Sequence, residues 1–382
     1  MSEITEVLEA IESLRERGEQ MALATIVAVR GSTYRRPGAR LLVSGSGELT
    51  GNISGGCLEG DVADVANVVM VEGKPRLVNY DLTAEDEVVW GFGLGCNGAI
   101  DVFVEPADRA AEIAGALRIA LQEEQPIANV TVLESSVDGV EQGARLLVRP
   151  DGSTEAGTGD GALDAAAIGV AQEQLHVGRS EVRTLQASSG EARAFVEVLE
   201  PPPRLLICGA GHDAIPMVAA ATALGWRAFV IDEREGFLTE DRFPGAAGFV
   251  HVELPEAAAK AAGTDERTFV VVMTHNYLKD KDYISSFLGT DIVYLGMLGP
   301  RIRTERLLAE LRAEGTTPSD ADLAKMHGPA GLDIGSEGAE EIAAAVISEI
   351  MAVRRSRAGG FLKNRPGPIH DRAEPERASR GG

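Results

Sequence analysis

The sequence predicts an α/β protein: an N-terminal mixed α/β domain with Gly/Cys loops, followed by a Rossmann-like, doubly wound parallel sheet. Two observations predict the parallel sheet. From residue 205 onward, short apolar runs alternate with helical patterns, and Gly209-Ala-Gly211 follows the first of these runs directly. Such alternation is typical of parallel strands covered by helices. Pro201-Pro-Pro203 precedes this pattern and marks a boundary, because consecutive prolines cannot pair inside a sheet.

A chain of 382 residues is too long for one ordinary core. We therefore expect an N-terminal domain over residues 1–200, a Rossmann-like domain over residues 201–357, and a tail rich in Pro, Gly and Arg over residues 358–382.

In the N-terminal half, apolar periodicity predicts the elements in order. The helices predicted are residues 2–18, 58–72 and 109–122, and the strands predicted are residues 22–29, 41–43, 77–80 and 100–104. Residues 127–200 predict several short strands separated by glycine turns, and we expect them to complete the sheet of this domain. No internal repeat is expected.

In the C-terminal half, the apolar runs are the length of buried parallel strands. The strands predicted are residues 205–208, 228–231, 269–273 and 292–295, and the helices predicted are residues 214–224 and 340–353.

Composition restricts the function. With 36 basic and 59 acidic residues, the net charge of −23 argues against nucleic acid or an anionic membrane as a partner. No stretch has the roughly 18 apolar residues of a membrane span, and the acidic N-terminal helix does not resemble a signal peptide. Cys57, Cys96 and Cys208 are sparse and odd in number, which favours free thiols in the cytoplasm.

One basic run stands out in this acidic chain. Four arginines fall within residues 30–40 with no acid among them: Arg30, Arg35, Arg36 and Arg40. Ser32 lies in the same run, and Ser54-Gly55-Gly56-Cys57 follows shortly after. Guanidinium groups and backbone N–H groups in glycine turns are common phosphate ligands. The run therefore predicts an anion site, the alternative being a glycine-rich hairpin with solvated arginines.

Cys57 and Cys96 each lie in a glycine-rich loop. Cys57 directly precedes a predicted helix, whose N-terminus would stabilise a thiolate. The spacing does not match a zinc site, which needs four ligands in close pairs. Two roles remain open for each cysteine: a small buried thiol that fills a turn, or a thiolate that ligates a soft metal centre or exchanges sulfur.

The Gly209-Ala-Gly211 turn follows a strand and opens a helix, and Asp232 comes 21 residues after Gly211, at the end of the next strand. This arrangement predicts a dinucleotide-binding turn, with the acid on a ribose. His212 occupies a position that is usually small, which argues against ordinary NAD binding. Asp232 has the alternative role of capping its strand.

Other polar residues fall at predicted carboxyl ends of strands, where open α/β sheets bind ligands. His275 is a candidate acid/base or phosphate partner, and Arg301 is a candidate anion ligand. Their alternative roles are loop packing and helix capping. His327 lies in a further glycine-rich turn before the last helix.

The chain resembles the XdhC/CoxI family of xanthine dehydrogenase accessory proteins. The resemblance rests on the run from Arg30 to Gly38, on residues 51–60 around Cys57, and on Gly95-Cys96-Asn97-Gly98. In the C-terminal half it rests on Gly209-Ala-Gly-His212, Thr274-His275, Gly296-Met-Leu-Gly299 and residues 328–335. The sequence departs from the family pattern at Asn97, Asn276 and Pro300.

The resemblance implies a protein without turnover of its own, which binds and protects molybdenum cofactor, as molybdopterin or its dinucleotide form. It implies support of cofactor sulfuration by a cysteine desulfurase, and delivery to a xanthine dehydrogenase-type molybdoenzyme. Molybdenum would be ligated by Cys57 and Cys96, and a nucleotide is a further candidate ligand of the Rossmann-like half. We also expect a homodimer. The alternative function is an NAD(P)-dependent oxidoreductase.

The residues expected to bind the cofactor are Arg30, Ser32, Arg35, Arg36, Ser54, Gly55, Gly56, Cys57, Cys96, Gly209, Gly211, His212, Asp232, His275 and Arg301.

Overall fold

A computed structural model describes residues 3–31, 33–81 and 98–366. These residues fold into two compact units, residues 3–201 and residues 202–365. The first unit contains two antiparallel five-stranded sheets and the second a parallel six-stranded sheet, which confirms the predicted α/β class and the Rossmann-like C-terminal half. Within the described ranges, no helix is long and apolar enough to cross a membrane.

The first sheet has the strand order β3-β2-β1-β5-β4. Its strands are β1 (Met21–Gly31), β2 (Arg40–Ser44), β3 (Leu49–Gly51), β4 (Arg76–Asp81) and β5 (Gly98–Pro106). Helices α1 (Glu3–Glu16) and α2 (Glu59–Glu72) cover its two faces. Side chains alternate along a strand, so Leu23 of β1 packs with α1 while Ala24 packs with α2. Both faces of β1 are thus buried, which explains its continuous apolar run.

The strands between residues 127 and 199 form a second sheet of their own, so the expectation that residues 127–200 complete the first sheet is wrong. The order is β8-β7-β6-β10-β9. Its elements are α3 (Ala107–Glu123), β6 (Ile127–Ser135), β7 (Arg145–Val148), β8 (Thr154–Gly157), α4 (Gly161–Val177), β9 (Glu181–Gln186) and β10 (Glu191–Leu199). Helix α4 was not predicted, because two of its four buried residues are alanines and one is a glutamine, which contrast little with the glycine-rich turns around it.

The two sheets repeat one topology, α-β-β-β-α-β-β, with the same strand order. The expectation of no internal repeat is therefore wrong. Residues 38–43 and 143–148 are both Gly-Ala-Arg-Leu-Leu-Val, and they occupy matching positions at β2 and β7. Phe103-Val-Glu105 on β5 matches Phe195-Val-Glu197 on β10 in the same way. Self-comparison of the sequence would have found the repeat.

The matching residues join the two repeats. Arg40 of β2 donates to both carboxylate oxygens of Glu197 at 2.6 Å. Reciprocally, Arg145 of β7 donates to Glu105 at 2.5 and 2.6 Å. All four side chains are buried. One apolar cluster contains Val27 and Phe103 of the first repeat. It also contains Leu133 and Phe195, which occupy the matching positions in the second repeat. The first unit is thus a pair of repeats with reciprocal contacts.

The sheet of the second unit has the order β13-β12-β11-β14-β15-β16, with every pair parallel. Its strands are β11 (Arg204–Cys208), β12 (Arg227–Asp232), β13 (Gly248–His251), β14 (Thr268–Val272), β15 (Tyr294–Met297) and β16 (Met326–His327). This is the Rossmann order 3-2-1-4-5-6. The strand predicted at residues 292–295 begins two residues later, at Tyr294.

Helices cover both faces of this sheet. They are α5 (Ala214–Ala223), α6 (Ala258–Ala262), α7 (Tyr277–Phe287), α8 (Arg301–Ala313), α9 (Asp320–Lys325) and α10 (Gly338–Arg354). Leu205 and Ile207 of β11 pack with α5 and α10, while Leu206 and Cys208 pack with α7 and α8. Burial raises the pKa of the Cys208 thiol well above its usual range, so Cys208 is a packed core residue.

Candidate functional site

The arginine loop, of which the structure describes residues 33–39, joins β1 to β2. In this loop Arg35 is half-buried and Arg36 is exposed. Ser32 lies outside the described residues. The loop leaves the sheet at Gly31, which pairs with Gly98 at the start of β5.

The cysteine loop, residues 52–58, joins β3 to α2. It contacts the arginine loop through Tyr34, because a Cβ atom added to Gly55 would lie only 3.4 Å from the Tyr34 ring. Gly55 also has φ +81°, a conformation that disfavours any side chain. The structure therefore brings Arg35, Arg36 and Cys57 onto neighbouring loops, which together we call the Arg/Cys surface.

The backbone N–H groups of the cysteine loop converge on one carboxylate, that of Glu59 in the first turn of α2. The N–H groups of Ile53 and Ser54 donate to Oε1 at 3.3 and 2.9 Å. Those of Gly56 and Leu58 donate to Oε2 at 2.9 and 3.2 Å, and the Ser54 hydroxyl also donates to Oε2. The loop thus forms an anion-binding nest, whose occupant is a side chain of the protein itself.

The carboxyl group of Glu59 is ionised in this nest. Its partial burial raises its pKa, but the hydrogen bonds from the Ser54 hydroxyl and from the backbone N–H groups outweigh burial and lower the pKa overall. Sequence reasoning missed Glu59. The signal in the sequence was an acid in the first turn of a predicted helix, where the helix dipole favours negative charge.

Cys57 is half-buried and carries a free thiol. Its N–H donates to Ser54 Oγ at 3.0 Å, and the N–H of Leu58 donates to the same oxygen at 2.8 Å. These bonds connect the cysteine backbone to Glu59 through Ser54. The thiol is placed at the start of α2, as predicted, on a loop with fixed backbone geometry.

Two arginines of the basic run meet acids that are remote in sequence. Arg30 donates to Asp101 at 3.0 and 3.3 Å, and Arg193 and Asn79 donate to the same buried carboxylate at 2.8 and 2.5 Å. Burial raises the pKa of Asp101, but these donors lower it overall. Arg40 is buried against Glu197 and does not reach solvent. The run contains no acid in the sequence, but in the folded protein two of its arginines are paired with acids.

Cys96 lies outside the described residues, so its distance from Cys57 is not defined. In the ranges described, no three His, Cys, Asp or Glu side chains cluster as a metal site would require. The Arg/Cys surface instead combines guanidinium groups with one thiol. That donor set fits a ligand with a phosphate group and a metal that favours sulfur, such as molybdenum cofactor.

In the second unit, strand order reverses direction between β11 and β14, and the turns that follow these strands form the crevice where such sheets bind ligands. Gly209 has φ +115°, and a Cβ atom there would lie 2.9 Å from the Met273 carbonyl oxygen. A Cβ atom on Gly211 would meet only the His275 ring, at 3.9 Å. Gly209 is therefore required by packing, whereas Gly211 borders open space.

Asp232, the acid predicted to contact a ribose, already has hydrogen-bond partners within the protein. Asp232 is 1% exposed and accepts the Ala210 N–H at 2.7 Å. The Arg234 guanidinium donates to both of its oxygens at 2.8 Å. Asp232 thus fixes the glycine turn.

His275 lies across the crevice from α5, and its Nε2 is 2.9 Å from the Asp213 carboxylate. It has φ +58°, which is uncommon for a residue with a side chain. The neighbouring Thr274 bonds to the buried Asp280, which Arg303 also contacts. His212 and Arg301 are exposed. The structure therefore places Gly211 and His275 together, while Arg301 and His212 point to solvent.

Fold and site define a class of protein: a two-unit α/β protein that carries a Gly/Cys loop on one of two repeated sheets and has a Rossmann-like second unit. The chain belongs to the XdhC and CoxI family. Residues 14–81 and 120–186 match the model described as XdhC and CoxI family, and residues 205–350 match the XdhC Rossmann domain.

Three known proteins are similar to this chain along most of its length. A protein from Bacillus subtilis described as a probable xanthine dehydrogenase subunit is 31% identical over 346 residues, 90% of this chain and 96% of that protein. The molybdenum cofactor insertion chaperone PaoD from Escherichia coli is 23% identical, over 90% of this chain and 86% of PaoD. A crystal structure described as a xanthine dehydrogenase from Bacillus halodurans is 29% identical, covers 96% of this chain and 98% of that chain, and has a TM-score of 0.74.

Proposed function

We propose that this protein binds molybdenum cofactor and inserts it into a xanthine dehydrogenase-type molybdoenzyme. Membership of the XdhC and CoxI family supports this function, as does the similarity to PaoD, which is named a molybdenum cofactor insertion chaperone. The single observation that carries the proposal is the contact between the arginine loop and the cysteine loop, since it brings cationic groups and a thiol onto one surface.

On this surface, Arg35 and Arg36 hold the phosphate of the pterin ligand. Arginine suits this role because its planar fork donates two parallel hydrogen bonds to phosphate oxygens. Cys57 provides sulfur next to the metal end of the ligand, and Glu59 holds the cysteine loop in shape through its backbone N–H groups. When bound, the cofactor supplies a molybdenum centre with affinity for thiolate sulfur.

The proposed function involves two partners, a cysteine desulfurase and a second copy of this chain. A cysteine desulfurase provides sulfur while the cofactor is held, and the protein acts as a homodimer in the cytoplasm. If Cys57 is needed for sulfuration, Cys57→Ser will lower the activity of the client enzyme even when equal amounts of cofactor are bound. Equal client activity with the wild-type protein and with Cys57→Ser would contradict a role of Cys57 in sulfur transfer.

The proposed function is tested by anaerobic purification of the full chain from cells that make molybdenum cofactor. We expect molybdenum by elemental analysis and pterin fluorescence after oxidation, in equal molar amounts. Preparations that contain neither, and that contain a nicotinamide nucleotide instead, would contradict the chaperone function.

A nicotinamide nucleotide in place of molybdenum and pterin would favour an NAD(P)-dependent oxidoreductase. The observation that supports this alternative is the Rossmann strand order with its glycine turn. In that case His275 would be the candidate proton donor, given its position beside Gly211. Turnover of a hydride donor by the purified chain would establish this alternative.

A further inference from the structure

Two arginines of the connection between β12 and β13, Arg234 and Arg242, lie against one aromatic ring. The 3₁₀ turn Glu235–Phe237 follows β12. The guanidinium carbon of Arg234 lies 4.2 Å from the centroid of the Phe237 ring, and that of Arg242 lies 4.8 Å from it. Arg234 is 46% exposed at its side chain. Two cations thus share one partly exposed ring at the edge of the glycine turn.

Both arginines are tied to the middle residue of that turn. Arg242 Nη2 donates to the Ala210 carbonyl oxygen at 3.0 Å. Arg234 holds Asp232, which in turn accepts the Ala210 N–H. The buried Nε of Arg242 has no hydrogen-bond partner among the described residues. The arginines are therefore positioned by the backbone that would face a diphosphate.

The pairing of Asp232 with Arg234 determines whether this site fits a ribose hydroxyl or a ribose phosphate. In a Rossmann site, an acid at the end of the second strand accepts hydrogen bonds from ribose hydroxyls, whereas a nearby arginine accommodates a 2′-phosphate. Here both carboxylate oxygens of Asp232 already accept bonds from Arg234. A ribose hydroxyl would have to displace a charge-assisted bond, while a phosphate would add one.

The other acid before Arg234 is also paired. Glu233 lies 2.7 Å from Lys279 Nζ, so its charge is partly offset by a lysine of α7. The space above Gly211 is open up to the His275 ring. A nucleotide can therefore approach the glycine turn with its ribose toward the two arginines.

We propose that the Rossmann-like unit binds an adenosine nucleotide that carries a phosphate on the 2′-oxygen of its ribose, and that Arg234 and Arg242 hold this phosphate. The dinucleotide of this class is the phosphorylated nicotinamide dinucleotide. This site goes beyond the cofactor function proposed above and does not depend on it, since its residues belong to the other unit of the chain.

The test measures binding of three adenosine nucleotides to the full chain by calorimetry at low salt: adenosine 2′,5′-bisphosphate, adenosine 3′,5′-bisphosphate and adenosine 5′-monophosphate. We expect the 2′,5′-bisphosphate to bind at least about tenfold more tightly than the monophosphate, because one charge-assisted contact has that effect. Equal affinities for the two bisphosphates, or no saturable binding of the 2′,5′ compound, would overturn the proposal.

Variants identify the residues. Arg234→Ala and Arg242→Ala should each lower affinity for the 2′,5′-bisphosphate about tenfold and leave that for the monophosphate nearly unchanged. Arg312→Ala, an exposed arginine in the last turn of α8, is the matched control and should change neither. If Arg234→Ala fails to fold because Asp232 loses its partner, Arg234→Lys keeps the charge and removes the fork. An unchanged preference in folded Arg234 and Arg242 variants would overturn the assignment.

Discussion

At the scale of single residues, Glu59 changes the interpretation of the Arg/Cys surface. The sequence suggested that backbone N–H groups around Ser54, Gly55 and Gly56 bind the phosphate of a ligand. In the structure, four N–H groups of this loop point at Glu59 instead. A second anion in that nest would be repelled by the carboxylate. Phosphate binding is therefore left to Arg35 and Arg36, and the nest has the role of positioning Cys57.

Replacing Glu59 tests this role. Glu59→Gln keeps the size of the side chain and removes the charge, so several charge-assisted bonds become neutral ones, and we expect a loss of about 1 kcal/mol of folding stability. The loop that carries Cys57 should loosen, which will increase the rate of Cys57 alkylation several-fold at neutral pH. Glu48→Gln, at an exposed position on the same unit, is the control. Unchanged alkylation in a folded Glu59→Gln variant would contradict the positioning role.

The same residue has a defined pH dependence. The pKa of Glu59 in the folded protein lies below its ordinary value of 4.5. Its contribution to stability is thus complete above about pH 4.5 and is lost as the pH falls through the lowered pKa of the folded state. The stability difference between wild type and Glu59→Gln, measured by denaturant unfolding, should be constant from pH 7 to 5 and shrink below that range. A difference that grows with acid would contradict this assignment.

At the scale of elements, the glycine turn after β11 offers a matched pair of substitutions. Gly209→Ala should lower the stability of the Rossmann-like unit by roughly 1–3 kcal/mol, because its Cβ would collide with the backbone of Met273 and Thr274 at a φ of +115°. Gly211→Ala should leave the melting temperature nearly unchanged, since only the His275 ring is near. Equal destabilisation by both substitutions would show that the turn is packed differently.

The larger change Gly211→Val extends this comparison to binding. A branched side chain would fill the space that a diphosphate needs, while the β11 and α5 packing should survive. We expect binding of a nucleotide ligand to be lost with little change in melting temperature. Calorimetry and thermal unfolding on the same preparation measure both effects.

The reciprocal ion pairs between the repeats give a further prediction at this scale. Arg40→Met leaves Glu197 buried without its cation, which should cost about 3–5 kcal/mol of unfolding free energy. The double change Arg40→Met with Glu197→Leu removes both charges and should recover most of this loss. Urea unfolding of wild type, Arg40→Met, Glu197→Leu and the double variant measures these differences. Additive losses in the double variant would mean that the two residues are not coupled.

The sequence predicted those elements that depend on short-range interactions and missed contacts between residues far apart in the chain. The glycine turn and four of the six strands of the parallel sheet depend on short-range patterns and were predicted. The two edge strands, β13 and β16, are only four and two residues long and were missed. Arg40 with Glu197 and Arg30 with Asp101 join residues 157 and 71 positions apart, so local composition could not show that these arginines are paired. The repeat was visible in the identical residues 38–43 and 143–148 but needs comparison of distant segments.

At the scale of the whole molecule, the candidate ligand groups are unevenly distributed over the two repeats of the first unit. The first repeat carries arginines between its first two strands and a cysteine before its second helix. The matching connections of the second repeat, residues 136–144 and 158–160, contain neither. Asp164 nevertheless binds the N–H and hydroxyl of Thr158 as Glu59 binds Ser54. The supporting contacts are thus shared by both repeats, while the candidate ligand groups occur in one.

The central claim, that the Arg/Cys surface binds molybdenum cofactor through its phosphate, is tested most directly by the affinity of molybdopterin for the Arg35→Ala/Arg36→Ala variant under anaerobic conditions. Each charge-assisted contact is worth roughly 1.5–3 kcal/mol, so the double variant should bind about two to four orders of magnitude more weakly than wild type. The charge-matched control Arg76→Ala/Arg118→Ala removes two exposed arginines from surface ion pairs and should bind like wild type. An unchanged dissociation constant in a correctly folded Arg35→Ala/Arg36→Ala protein would contradict the claim.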